Sequence, residues 1–165
     1  MLRELRASHV GETVAVRLYD GAIAASTDPG VVRFATTHRQ VEAGHLRLFN
    51  ATLPRAARSR PLTLWRMAGW LMGWIPARIS AAAFYAVVAR VEHWVDGHYA
   101  RQIALARRLC PDPALIRLLD ACRADEARHS LEAAGQVPAM PLHARILGAV
   151  AVTLSRLGVQ VARWL

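Results

Sequence analysis

Two short stretches of this chain, Glu42-Ala43-Gly44-His45 and Glu126-Ala127-Arg128-His129, each place a carboxylate and an imidazole three residues apart. On an α-helix that spacing brings both side chains to one face, where together they can grip a metal ion. A single Glu-x-x-His is common on surface helices, but neither copy stands alone. Glu12 precedes the first by 30 residues and Glu92 precedes the second by 34. The chain therefore reads as two halves, each a glutamate followed by Glu-x-x-His. Of six glutamates only Glu4 and Glu132 fall outside the pattern, a concentration that solvated helix faces would not produce.

Four glutamates and two histidines meeting inside a bundle are what a di-iron or di-manganese carboxylate site requires: one Glu from each of two helices and a Glu-x-x-His from each of two others. Four carboxylates balance two divalent ions, and oxygen donors with imidazole suit iron. Without metal, four buried negative charges repel and their pKa values rise. The geometry assigns Glu42 and Glu126 as bridges, Glu12 with His45 to one ion, and Glu92 with His129 to the other. Asp125, next to a ligand glutamate, is placed to accept a hydrogen bond from a ligand imidazole and fix its tautomer. Val41 holds the matching position in the first half, so the two halves differ there. Tyr19 follows Glu12 by seven residues and Tyr99 follows Glu92 by seven, nearly two turns, so each tyrosine shares its glutamate's face. His93 and His98 fall off that face and are not read as ligands. His9, three residues before Glu12, is read as a supporting or structural residue.

The elements that must position these groups are all helical, with no strand-like alternation and no low-complexity tract. A first helix is expected from about Leu5 to Ala25, ending before Ser26-Thr27-Asp28-Pro29-Gly30. Asp28 with Pro29 caps a second helix that carries Glu42 and His45 and ends near Pro54. Arg55-Ala56-Ala57-Arg58-Ser59-Arg60 is a short basic connection, either simply solvated or a holder of phosphates. In the segment from Leu62 to Leu109, Pro76 is expected to interrupt the first helix, and a longer one to resume near Ile79 and carry Glu92 to Cys110. Pro111-Asp112-Pro113 opens the helix bearing Asp125, Glu126 and His129, which ends near Gly135. A loop with Pro138 and Pro141 leads to a final apolar helix, Leu142 to Leu165.

At 165 residues the chain is expected to form one domain, residues 1–165. Its formal net charge of +9 comes wholly from arginine, since lysine is absent. Guanidinium suits phosphates, so nucleic acid or anionic lipid headgroups are the candidate partners. Cys110 and Cys122 form no CxxC pair and fit a reducing compartment. The N-terminal charges Arg3, Glu4 and Arg6 have no apolar run behind them, so export is not expected. Trp65, Trp70 and Trp74 lie in a strongly apolar stretch. Its uncharged runs, Met67 to Ala77 and Ile79 to Ala89, are too short to span a bilayer, which takes about 20 residues. An in-plane helix with tryptophans near the headgroups fits better, giving membrane-facing segments at about 62–90 and 142–165. For the last helix, sequence does not separate covering the bundle from lying on a bilayer.

The ordered set of residues resembles the demethoxyubiquinone hydroxylases, ferritin-like membrane-associated di-iron monooxygenases of ubiquinone biosynthesis. The resemblance is carried by His9-Val10-Gly11-Glu12 with Arg17-Leu18-Tyr19, by Glu42-x-x-His45-Leu46 with Phe49-Asn50, by Arg60-Pro61, and by Gly69 with Gly73. It continues through Val91-Glu92, His98-Tyr99 and Gln102 to Asp125-Glu126-x-x-His129 and Leu154-Ser155-Arg156. It implies an all-α, ferritin-like four-helix bundle with additional amphipathic or hydrophobic helices, and two Fe2+ ions held by Glu12, Glu42, His45, Glu92, Glu126 and His129. It implies that Tyr99 and His98 act near the site in substrate or electron handling. The implied activity is hydroxylation of the ring of a polyprenylated quinone precursor, with O2 and NADH as co-substrates. The implied location is peripheral to the membrane, on anionic lipid at the cytoplasmic face of a bacterial inner membrane or the matrix face of the mitochondrial one. An auxiliary lipid-binding protein or a homo-oligomer is left open.

Several positions depart from that pattern. Ser80 stands where glycine is usual, Ser130 where another histidine is frequent, and Ala22 for glutamine, and the linker to the last helix is short. None is a metal ligand. Two other functions share parts of the pattern: a ferritin-like tRNA hydroxylase, and a non-catalytic iron-storing or lipid-binding membrane-surface protein. The arginines are scattered, with no basic stripe interleaved with stacking aromatics, so no nucleic-acid partner is expected.

Overall fold

A computed structural model describes all of residues 1–165. It contains six α-helices and no strand: α1 (Leu2–Ala25), α2 (Pro29–Thr52), α3 (Leu62–Ile79), α4 (Ala81–Leu109), α5 (Pro113–Gly135) and α6 (Leu142–Ala162), with a 3-10 turn at Arg55–Ala57. The architecture is ferritin-like. The helix starts follow from local chemistry. Asp28 accepts from the Gly30 and Val31 amides with Pro29 in the first turn of α2, and Asp112 accepts from Ala114 with Pro113 in the first turn of α5.

The break in the third segment lies at Ser80, not at Pro76. Pro76 sits inside the last turn of α3, while Ser80 is extended (φ −171°, ψ 160°) and its hydroxyl caps α4 by accepting from the Ala83 amide. A proline removes one amide donor from the ladder. In the last turn that bond is still lost, but only three residues of α3 follow Pro76, so little helix has to continue past the disturbance, and the serine cap gives the next helix a better starting point.

Helices α1, α2, α4 and α5 form the bundle, and the other two cover it. α3 lies along α1 and α6 along α4, so the two-half pattern extends to a third helix in each half. Glycine makes both seats close. A Cβ at Gly73 would lie 1.8 Å from the Leu18 carbonyl oxygen, and one at Gly69 would lie 2.4 Å from that of Val14. On the other side, a Cβ at Gly148 of α6 would meet the Arg90 side chain at 2.6 Å and the Ala86 oxygen at 2.9 Å. Because α1 and α4 are covered on two sides, α4 is buried continuously from Ala83 to Ala89.

That burial corrects part of the expected membrane-facing segment. Residues 83–89 are bundle core, and Trp65 is also buried, its indole N–H donating to Ser59 Oγ at 2.9 Å. Trp70 and Trp74 are half-buried and stacked on each other. Only the outer stripe of α3 shows apolar side chains, Leu64, Met67, Leu71, Ile75 and Ile79. α6 covers the bundle with one face and leaves the other apolar and exposed. Ala144, Gly148 and Ala151 are buried in the protein, while Leu142, Ile146, Val150, Leu154, Leu157 and Val161 are exposed.

Candidate metal centre

Each bundle helix contributes on its inward stripe: Glu12 from α1, Glu42 and His45 from α2, Glu92 from α4, and Glu126 and His129 from α5. All six side chains are buried. Their donor atoms fall into two overlapping groups, Glu12–Glu42–His45–Glu126 and Glu42–Glu92–Glu126–His129, each within 4.8 Å. Glu42 and Glu126 belong to both, and each divides its two oxygens between the imidazoles. Glu42 Oε2 lies 3.3 Å from His45 Nδ1 while its Oε1 lies 3.0 Å from His129 Nδ1. Glu126 Oε1 lies 3.8 Å from His45 Nδ1 and its Oε2 lies 3.8 Å from His129 Nδ1. Glu12 Oε2 is 3.5 Å from His45 Nδ1.

The donor set fits a pair of divalent ions. Glu12 Oε2, both Glu42 oxygens, Glu126 Oε2, and Nδ1 of His45 and His129 are buried without a hydrogen-bond partner. Buried polar atoms left unpaired cost about 1–3 kcal/mol each, more for charged groups. Six such atoms converging from three helices, α1, α2 and α5, are what a site built for a ligand leaves unpaired.

The expected rise in carboxylate pKa occurs at three of the four. Burial pushes Glu12 and Glu92 up to about 7, and burial with the neighbouring Glu42, Glu92 and Glu12 charges raises Glu126 well above its usual range. Glu42 is the exception. Burial opposes its ionisation, but the His129 and His45 imidazoles outweigh that and hold it at about 2. His45 is driven the other way: burial lowers it, and Glu12 and Glu42 raise it to about 11. The centre thus concentrates charge on the glutamate that both imidazoles face.

Around the ligands the pattern crosses between halves. The Tyr99 hydroxyl of α4 donates to Glu12 Oε1 on α1, and the Tyr19 hydroxyl of α1 donates to Glu92 Oε1 on α4 at 3.1 Å. Shared faces at sequence level could not show that exchange. Asp125, next to Glu126, serves the other half's imidazole: His45 Nε2 lies 2.9 Å from Asp125 Oδ2. His129 Nε2 has no hydrogen-bond partner, and its ring meets the edge of His38, with centroids 4.2 Å apart. His38 was not singled out from sequence. The signal was its spacing of four residues before Glu42, which places it on the ligand face. It is buried, and its Nε2 lies 3.1 Å from Glu132 Oε2.

His9 lies outside the cluster, with Nε2 3.2 Å from Asn50 Oδ1. His98 also lies outside it, stacked on Trp94 with centroids 5.6 Å apart, and burial lowers it to about 4, so it is neutral near pH 7. His98 and Tyr99 instead line an apolar cavity of ≈ 640 Å³ between α1, α3, α4 and α6. Glu12, Glu92 and Glu126 form part of its wall, while Leu71, Ile75, Leu154 and Leu157 carry it to the exposed apolar stripes of α3 and α6.

A family model described as "Ubiquinone biosynthesis protein COQ7" matches residues 1–162. The chain is 33% identical over 151 residues to a 3-demethoxyubiquinol 3-hydroxylase of Paracidovorax citrulli, covering 89% of this chain and 72% of that protein. It is 31% identical over 174 residues to the enzyme of the same name from Rhodospirillum rubrum, covering 98% and 75%. The mouse protein named NADPH-dependent 3-demethoxyubiquinone 3-hydroxylase, mitochondrial, is 30% identical over 132 residues, covering 77% of this chain and 60% of that one.

Proposed function

This chain belongs to the Ubiquinone biosynthesis protein COQ7 family, and from that premise we propose that it is an oxygenase that hydroxylates the ring of a polyprenylated, demethoxyubiquinone-type quinone at a di-iron centre. One observation carries the reading: the apolar cavity joins buried carboxylates to two apolar stripes on the protein surface. A quinone bearing a long isoprenoid tail matches that shape, with its ring against the carboxylates and its tail leaving between α3 and α6 into lipid. Those stripes would seat the protein on the inner-membrane surface, at the cytoplasmic face in a bacterium or the matrix face in a mitochondrion.

Glu12, Glu42, His45, Glu92, Glu126 and His129 would hold two ferrous ions, which supply the electrons and open coordination positions for O2 activation. The rest of the work falls to the chain. Tyr99 and Tyr19 fix the rotamers of Glu12 and Glu92 through their hydroxyls. Asp125 accepts from His45 Nε2–H, which leaves Nδ1 as the metal-facing donor. The apolar cavity wall keeps water from the reacting ring. Neutral His98 and the Tyr99 hydroxyl are the polar groups of that wall suited to orienting a quinone oxygen. Reducing equivalents come from a nicotinamide; the resemblance implies NADH, and the mouse relative is named for NADPH.

The test is oxygen-dependent oxidation of NADH or NADPH by the iron-loaded protein on adding a short-tailed demethoxyquinone, with the product read by mass spectrometry. A product heavier by one oxygen atom is expected. Oxidation without a hydroxylated product would sink the reading, as would an unchanged quinone pool in cells lacking the gene.

A further inference from the structure

On the opposite side of α1 from the apolar cavity lies a second hollow of quite different character. It holds ≈ 260 Å³ and is lined by Arg17 of α1, Arg39 of α2, Arg58 of the basic connection and Arg66 of α3, with His9 and Asn50. A single ordered water needs only about 10–15 Å³, so the space suits a larger group. Four guanidinium groups from four segments face it, and the only carboxylate in the lining is Asp20. Asp20 pairs with Arg17 at 2.9 Å and with Arg39. That leaves Arg58 and Arg66 without a counter-charge.

Arg58 is not free to swing into solvent. Its Nε donates to the Leu53 carbonyl at 3.1 Å and its Nη2 to the Asn50 carbonyl at 2.6 Å. Of the three arginines in the basic connection, it is the one turned inward, while Arg55 and Arg60 are exposed. An unbalanced charge fixed by its own hydrogen bonds binds an anion at little ordering cost. His9 registers the field. It is buried and keeps its proton poorly, first because of burial and then because Arg58 and Arg66 oppose a further positive charge.

We propose that this hollow binds a phosphate-bearing ligand, a phosphomonoester or a diphosphate. Arginine forks recognise phosphate oxygens in pairs, and several converging on one small volume select a multiply charged anion over a single carboxylate. Two sources share that chemistry. One is soluble, the diphosphate of a dinucleotide; the other is the headgroup of an anionic lipid, since Arg66 shares α3 with the exposed apolar stripe. The site is separate from the carboxylate centre and does not depend on the hydroxylase reading.

Calorimetric titration of the full chain with inorganic pyrophosphate tests it. Saturable one-site binding is expected, weakened at least tenfold in Arg66→Gln and in Arg17→Gln, and unchanged in Arg107→Gln, which lies elsewhere on the surface. Both Arg17 and Arg66 are exposed, so the variants should fold, and circular dichroism checks this. Competition by NADPH or NADH would assign the soluble source. Retention on vesicles of phosphatidic acid in phosphatidylcholine, released by pyrophosphate and lost in Arg66→Gln, would assign the lipid. No saturable pyrophosphate binding by the wild-type chain overturns the proposal, and so does an Arg66→Gln protein that binds as tightly as wild type.

Discussion

The half built from α1, α2 and α3 and the half built from α4, α5 and α6 repeat one plan with different supports. Each supplies a glutamate, a Glu-x-x-His, a tyrosine and a covering apolar helix seated through glycine. The imidazoles nevertheless end in different surroundings. His45 Nε2 meets a carboxylate, whereas His129 Nε2 meets only the edge of another ring. A duplicated backbone plan therefore does not duplicate electrostatics, because the tertiary neighbours of each ligand come from the opposite half.

The largest effect expected is at the two groups that the halves share. Glu42→Ala or Glu126→Ala should reduce bound iron to one ion or none per chain and abolish oxygen-dependent turnover, while Glu12→Ala or Glu92→Ala should spare one ion. Metal analysis decides it, and two irons retained in Glu42→Ala would remove the division between shared and unshared ligands.

The covering helices differ next. At Gly73 an added methyl meets backbone that cannot yield, so Gly73→Ala should cost about 3 kcal/mol in urea unfolding. At Gly148 the closest atom belongs to the flexible Arg90 side chain and the closest backbone atom, the Ala86 oxygen, lies at 2.9 Å rather than the 1.8 Å met at Gly73, so Gly148→Ala should cost less, about 1–2 kcal/mol. Equal costs would mean that both helices are seated alike.

The halves should agree in their response to pH. Glu12 and Glu92 both titrate at about 7 in the metal-free protein and must lose their protons to bind metal. Iron affinity should therefore rise with pH, by at least about a hundredfold from pH 6 to 8, since Glu126 and His45 also hold protons that metal must displace, with proton release seen by calorimetry in buffers of different ionisation enthalpy. A flat profile would show that the carboxylates are already ionised.

The supports of the two imidazoles give the smallest contrast. Asp125→Asn should weaken metal binding or turnover by about 10- to 100-fold. His38→Phe keeps a ring against His129 and should change either by less than about threefold, since no hydrogen bond to His129 is lost. A His38→Phe loss as large as that at Asp125 would show that the second half has a support of equal weight.

Much of this was legible in the residues themselves. The caps at Asp28 and Asp112 follow from the proline beside each, and the shared faces of Glu42 with His45, Glu126 with His129 and each lone glutamate with its tyrosine follow from spacings of three and seven residues, because helix geometry converts short separations directly into shared faces. Pro76 signals a break, but α3 stops only four residues later, where Ser80 turns extended and its hydroxyl caps α4.

What the sequence determined on its own is which side chains lie on which stripe, since that depends only on the 3.6-residue turn. The tertiary structure decided which stripe faces which. It sent Tyr99 to Glu12, Tyr19 to Glu92 and Asp125 to His45, buried residues 83–89, and left the outer stripes of α3 and α6 uncovered. Those outcomes depend on contacts between groups up to 87 residues apart, and no local periodicity encodes them.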